Sequence, residues 1–219
     1  MNVSGTILTG MLKTHEDGPL LRSAFPKVLR ADVDAGLSVM PTAEHRAMLT
    51  DGTVRIGSEE IAILRRIYHP EPTPRLSDLT RLQKTILSSL YTRHHDGFVR
   101  ERHVHEILYA DHPWVPVFVL QLLGEYVVQI GQTIARHVAT LPQETYRTFA
   151  HANPEYMSAL RSRVVSYWSE YYRATPLREY AGYRALDELG LWDGPEARRI
   201  LMRPVGNPRP TDEPGATGL

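Results

Sequence analysis

Apolar residues recur at intervals of three and four over much of the chain, and that spacing predicts amphipathic helices. From Ser77 onward Leu79, Leu82, Ile86, Leu87, Leu90 and Tyr91 define one face. Phe98, Val99, Val104, Ile107 and Leu108 define the face of a second helix, with His95-Asp96-Gly97 as the turn between the two. Trp114 to Ile130 is apolar on nearly every side, interrupted by Gln121, Gly124, Glu125 and Gln129. Such a segment belongs in the middle of a fold, and Gly124 divides it into helices at Pro116 to Leu123 and Tyr126 to Ala139. Asn153-Pro154-Glu155 combines a capping residue, a proline at the first helical position and an early carboxylate, so a helix starts there. Met157, Leu160, Val164, Trp168 and Tyr171 carry its face. Thr175-Pro176 opens another helix and Leu189-Gly190 closes it, and residues 195 to 202 add a further turn or two.

The first third of the chain is less periodic. Leu20 to Leu29 and Ala43 to Leu49 are candidates for short helices, separated by Gly36 and Pro41. Thr53 to Ile56 alternates polar and apolar residues and suits a brief extended piece. After Gly57, Ser58 resembles an N-cap, Glu59 and Glu60 sit where a helix dipole favours carboxylates, and Ile61, Leu64 and Ile67 supply a face, so a helix is expected there. Pro70-Glu71-Pro72-Thr73-Pro74 cannot be helical, because proline lacks an amide proton and disfavours α geometry in the residue before it. The expectation is therefore an all-α fold in one helical domain over residues 1–203, with an N-terminal subregion at 1–74. Residues 204–219, rich in proline and glycine, are expected to be a disordered tail.

Composition narrows the function classes. Twenty-five basic residues balance twenty-five acidic ones, without a block of like charge. Nucleic acid and anionic membrane both select for a basic stripe, so this balance disfavours both as partners. There are no cysteines, which removes disulfides, thiolate metal sites and thiol nucleophiles. With no secretory signal and no apolar run of roughly 20 residues, the cytoplasm is the expected compartment. No P-loop, dinucleotide fingerprint, G-x-S-x-G elbow or kinase set is present, so no catalytic residue and no cofactor is assigned.

The pentapeptide Asp51-Gly52-Thr53-Val54-Arg55 returns forty-five residues later as Asp96-Gly97-Phe98-Val99-Arg100. A short turn recurring at such a period is a signature of stacked helical repeats. The segment from Leu79 to Val138 resembles the HEAT family of helical repeats, which pair two antiparallel helices around a turn of the type Asp-x-x-Val-Arg. The resemblance is to HEAT-like chains of bacterial type. It implies a HEAT-like helical stack or an irregular multi-helix bundle, in which Asp96 caps the second helix, Gly97 permits the turn, Val99 enters the core and Arg100 reaches back across the stack. A second unit would run from Pro116 to Val138, with Gln129 where the pattern has arginine. The resemblance implies a non-enzymatic scaffold that offers a ridged surface to another protein.

On that reading the binding residues are exposed ones at turns and ridges: Arg100, Arg102, His103, Tyr126 and Arg136. Two other clusters compete. His94, His95, His103, His105 and His112 stand among Asp96, Glu101, Glu106 and Asp111, where His103 with Glu106, or Glu101 with His105, would share a helix face and a metal. No H-E-x-x-H spacing accompanies them, and solvated histidines are the simpler reading. Tyr167, Trp168, Tyr171 and Tyr172 lie among Arg161, Arg163 and Arg173. Stacking aromatics beside guanidiniums is how some HEAT-like DNA-repair proteins hold nucleic acid, making Arg161, Trp168, Tyr172 and Arg173 the alternative surface. Nearby carboxylates cancel most of that charge, which favours a structural role in tying two helices together.

Overall fold

The computed structural model describes residues 16–192, apart from 44, 73 and 74. Most of these residues are helical: α1 (Gly18–Arg22), α2 (Arg30–Ser38), α3 (Arg81–Tyr91), α4 (Gly97–Ile107), α5 (Val115–Leu123), α6 (Val128–His137), α7 (Gln143–Ala152), α8 (Pro154–Tyr171) and α9 (Ala181–Glu188). The expected helix after residue 195 and the expected tail from 204 lie outside the described residues.

The fold is not all-α. Residues 48–66 form an antiparallel hairpin of β1 (Met48–Ile56) and β2 (Glu59–Arg66). Ile61, Leu64 and Ile67 fit a helical period, but Ile61 and Ile63 fit a strand period equally well, and Val54 and Ile56 alternate opposite them. The connection decides between the two. Ile56 pairs with Glu59, leaving a two-residue turn of Gly57 and Ser58 with Gly57 at φ +60°. A left-handed residue at that place matches the twist of the two strands and closes a hairpin. Ser58 is thus a turn residue and not a helix cap. The Asp51 copy of the pentapeptide opens no helix either, since it lies within β1 where the ladder shifts register between Leu49 and Thr53. The described residues of 43–47 are likewise non-helical and the chain then enters β1, whereas Gly36, expected as a separator, is inside α2.

The helical centre agrees with the apolar pattern. All nine residues of α5 are buried, and α3, α4, α6, α7, α8 and α9 pack around it. The chain turns at Gly124, where a Cβ would stand 2.9 Å from Leu160 Cδ1 and 3.3 Å from Arg163 Cβ. Only glycine lets α8 approach the end of α5 this closely. The hairpin is fastened to this centre by Gln121, whose side-chain amide donates to the Leu64 carbonyl at 3.0 Å. Asn153 fastens its other end. Instead of capping α8, its side chain accepts from the Arg55 amide at 2.6 Å and donates to the Arg55 and Phe149 carbonyls at 3.0 and 2.8 Å.

Candidate functional site

Beyond β2, Ile67 bridges to the turn that follows α3: its amide donates to the Arg93 carbonyl at 2.9 Å and its carbonyl accepts from the His95 amide at 3.1 Å. This brings Arg66 beside Arg93 and, through the α4 turn, beside Arg100. Asp96 caps α4 as expected, its side chain accepting from the Phe98 amide at 2.8 Å. Val99 enters the core. Arg100 reaches the α5–α6 connection, but it is wholly buried, which removes it from the exposed binding set. One face of a helix includes neighbours about 100° apart, so Val99 and Arg100 turn inward together.

The partner of all three arginines is Glu125, in the connection between α5 and α6. Arg66 Nη1 and Nη2 reach its two oxygens at 3.1 and 3.5 Å, Arg93 Nη1 donates to Oε1 at 3.0 Å, and Arg100 Nε stands 3.1 Å from Oε2. Arg100 Nη1 also donates to the His94 and His95 carbonyls at 2.8 and 2.9 Å, and Arg93 Nη2 donates to the Phe118 carbonyl at 3.4 Å. Burial alone would raise the Glu125 pKa, but Arg93, Arg66 and Arg100 outweigh it and hold the carboxyl below its ordinary range. Arg93 is pushed down to about 10 by burial, against the attraction of Glu125 and with the repulsion of Arg66 and Arg100. One carboxylate thus joins the hairpin, the α3–α4 turn and the α5–α6 connection. In the sequence Glu125 is a lone carboxylate interrupting the apolar run Trp114 to Ile130, and that interruption is the one local sign of a buried partner.

Outside this frame lies an aromatic face. Phe98 at the start of α4 and Tyr126 in the α5–α6 connection are 75% and 55% exposed. The Tyr172 hydroxyl approaches the Tyr126 carbonyl at 3.5 Å, and Tyr171, 63% exposed, lies 6.1 Å from Tyr167 between ring centroids. Tyr172 stacks on buried Tyr180 at 5.4 Å. A groove of about 320 Å³ runs beside them, lined by Arg136 and Gln132 of α6, by Tyr172 and Tyr180, and by Glu179 and Arg184. Tyr126, Arg136 and Tyr172, taken from two competing expectations, are therefore brought to one side of the molecule.

The remaining candidates are placed differently. Arg102 is exposed and pairs with Glu71, whereas His103 is largely buried, its ring nitrogens meeting Ser88 Oγ at 3.2 Å and Glu71 Oε1 at 3.0 Å. Burial lowers the His103 pKa despite Glu71, and burial also lowers that of His94. His103 pairs with Glu71 and not with Glu106, and Glu101 accepts from the Thr133 hydroxyl at 3.3 Å instead of joining His105. Among the described residues no group of three or more histidine, aspartate or glutamate side chains is disposed to hold a metal. Arg161 donates to the Leu191 carbonyl at 3.1 Å, Trp168 to the Thr175 carbonyl at 2.7 Å and Arg173 to the Ser169 carbonyl at 3.1 Å. Arg161 and Trp168 thereby join α8 to the chain that follows it, Arg173 bonds back to α8, and Tyr171 stands out in solvent.

No family model, curated protein or solved structure matches the chain. No helix among the described residues is long and apolar enough to cross a membrane.

Proposed function

We propose that this chain is a non-enzymatic protein-binding module of HEAT-like helical type. Its docking face is the aromatic side formed by the start of α4, the α5–α6 connection and the end of α8. One observation carries the reading: Tyr126 and Tyr171 are large and exposed and adjoin Tyr172, which lines a groove that also holds Arg136, and Phe98 at the start of α4 is exposed as well. Tyrosine, phenylalanine and arginine are enriched where protein interfaces concentrate their binding energy, because they bury much area at little cost in side-chain freedom. The partner this face suits is a protein segment with apolar side chains for the aromatic ridge and a carboxylate for Arg136. The buried ion cluster beneath supports the reading by holding two of the contributing segments, the start of α4 and the α5–α6 connection, in fixed relation.

The test compares Phe98→Ala/Tyr126→Ala, Tyr171→Ser and Arg136→Glu with a control, Val28→Ala, which alters an exposed apolar residue elsewhere. Affinity recovery from the native host, followed by binding of the purified partner, should weaken about tenfold or more for the face variants, with the control and the melting temperatures unchanged. A partner that binds all four variants equally removes this face from consideration. Nucleic acid is the alternative partner. It predicts a gel shift that weakens steeply with salt and depends on Tyr171 and Tyr172.

A further inference from the structure

On the other side of Glu125 a second cleft, of about 370 Å³, opens between the hairpin and the ends of α5 and α8. Its walls carry Arg65 and Arg66 of β2 and Arg163 of α8, with Thr50 and Tyr167 also lining it and Gly124 and Glu125 among its residues. We propose that this cleft binds a phosphate group, with the guanidiniums of Arg65, Arg66 and Arg163 as its donors. The inference is independent of the aromatic docking face and of its partner.

Charge is the first argument. Glu125 faces Arg66, Arg93 and Arg100 at once, and the latter two are wholly buried. Three guanidiniums thus share one carboxylate, and Arg65 and Arg163, which form no ion pair among the described residues, line the same cleft. Buried charge of one sign is unfavourable unless opposed, and Glu125, with 11% of its side chain exposed, is fully engaged. An anion in the cleft beside Arg66 would add the opposition that Glu125 alone does not supply.

Geometry is the second. The walls come from elements distant in sequence, and specific contacts bring them together. The Gln121 bond to the Leu64 carbonyl sets β2 against α5. The absent Cβ of Gly124 allows α8 to bring Arg163 to the same opening. Arg66 is held by its paired contacts to Glu125 and by a further bond from Nη1 to the Arg65 carbonyl at 3.2 Å. Planar guanidiniums fixed in this way match the paired oxygens of phosphate better than lysine ammonium groups would. The Thr50 oxygen accepts from the Gly52 amide at 3.4 Å, which leaves its own proton to donate. Tyr167 adds a ring surface for whatever the phosphate is attached to. The cleft also exceeds the needs of a bare phosphate and falls within the range of small-ligand sites.

The source of the phosphate separates by experiment. Calorimetric titration of the full chain at low ionic strength would use inorganic phosphate in one arm and phenyl phosphate in the other, with chloride of matched ionic strength as the blank. Saturable binding of either probe is expected. Equal affinity for both identifies free phosphate as the occupant, and a clear preference for phenyl phosphate identifies a small phosphate monoester that contacts Tyr167. Arg65→Ala and Arg163→Ala alter exposed residues, so both variants should keep the wild-type melting temperature. Each should weaken binding by about tenfold, the factor expected for losing a hydrogen bond to a charged group. Exposed Arg178→Ala, outside the cleft, should not weaken it. Heat no greater than the chloride blank for both probes would overturn the proposal, and so would unchanged affinity in the Arg65→Ala/Arg163→Ala double variant.

Discussion

Asp51–Arg55 and Asp96–Arg100 share four residues of five, and one lies in a strand while the other begins a helix. In β1 successive side chains point to opposite faces, so Val54 goes inward and Arg55 goes out, where it meets Glu60 at 3.8 Å. In α4 the same pair is separated by about a quarter turn, and both Val99 and Arg100 are buried. Backbone period therefore decides whether this arginine is a surface charge or the centre of an ion cluster. The neighbouring segments choose the period: Gly57 closes a hairpin in the first case, and Asp96 caps a helix in the second.

Replacing the arginines one at a time tests that contrast at its largest. Arg100→Ala leaves Glu125 with two of its three guanidiniums and frees the His94 and His95 carbonyls. Glu125 stays opposed, so the loss comes from the stranded carbonyls, about 1–3 kcal/mol, and from the cavity left by a wholly buried side chain. Arg55→Ala removes an exposed contact, and its own effect should stay within about 0.5 kcal/mol. Denaturant unfolding of both variants is the measurement. Similar losses would mean that the two copies are equally structural.

The strand copy has its own anchor in Asn153, which holds the Arg55 backbone through both amide and carbonyl. Asn153→Ala leaves these groups and the Phe149 carbonyl without that partner, at a cost of about 1–3 kcal/mol. Amide hydrogen exchange should accelerate at Arg55 and hardly at Arg100. Equal acceleration at both would show that Asn153 supports the whole fold and not the hairpin specifically.

How much of this was legible varies with the range of the contacts. The helices α3, α4 and α8 and the break at Gly124 follow from local periodicity and capping, which involve residues three or four apart. The hairpin did not, because Ile61, Leu64 and Ile67 satisfy one period and Ile61 and Ile63 the other. Gly57-Ser58 was the signal that separates them. At the candidate site, Tyr126 and Arg136 stand out as ridge residues and Tyr172 as a stacking aromatic, and the three lie on one side. Arg100 is not placed by its charge, because a guanidinium with a buried carboxylate partner need not face water. Its partner Glu125 lies beyond the whole of α5, Arg66 and Arg93 are 59 and 32 residues from Glu125, and no spacing rule reaches that far.

The smallest effect concerns the glycines, and it bears on what the two copies have in common. In the HEAT pattern Gly97 would be needed for a tight turn. Yet its φ lies outside the left-handed region, and a Cβ there would meet Arg100 Nη2 at 3.6 Å and Val127 Cγ2 at 3.7 Å, ordinary contact distances. Gly52 is similar, with Ile63 Cδ1 at 3.6 Å. Alanine at either place narrows the unfolded ensemble without straining the folded chain, so each should stabilise by about 0.4–1 kcal/mol. That corresponds to a rise of roughly 1–4 °C in melting temperature for a chain of this size. Gly57→Ala is the contrasting case, since at φ +60° alanine is strained and stability should fall. A melting temperature lowered by Gly97→Ala would return the glycine to the turn and strengthen the repeat resemblance. A rise in both Gly52→Ala and Gly97→Ala would mean that the Asp and Val of each copy, and not its glycine, carry the structural information.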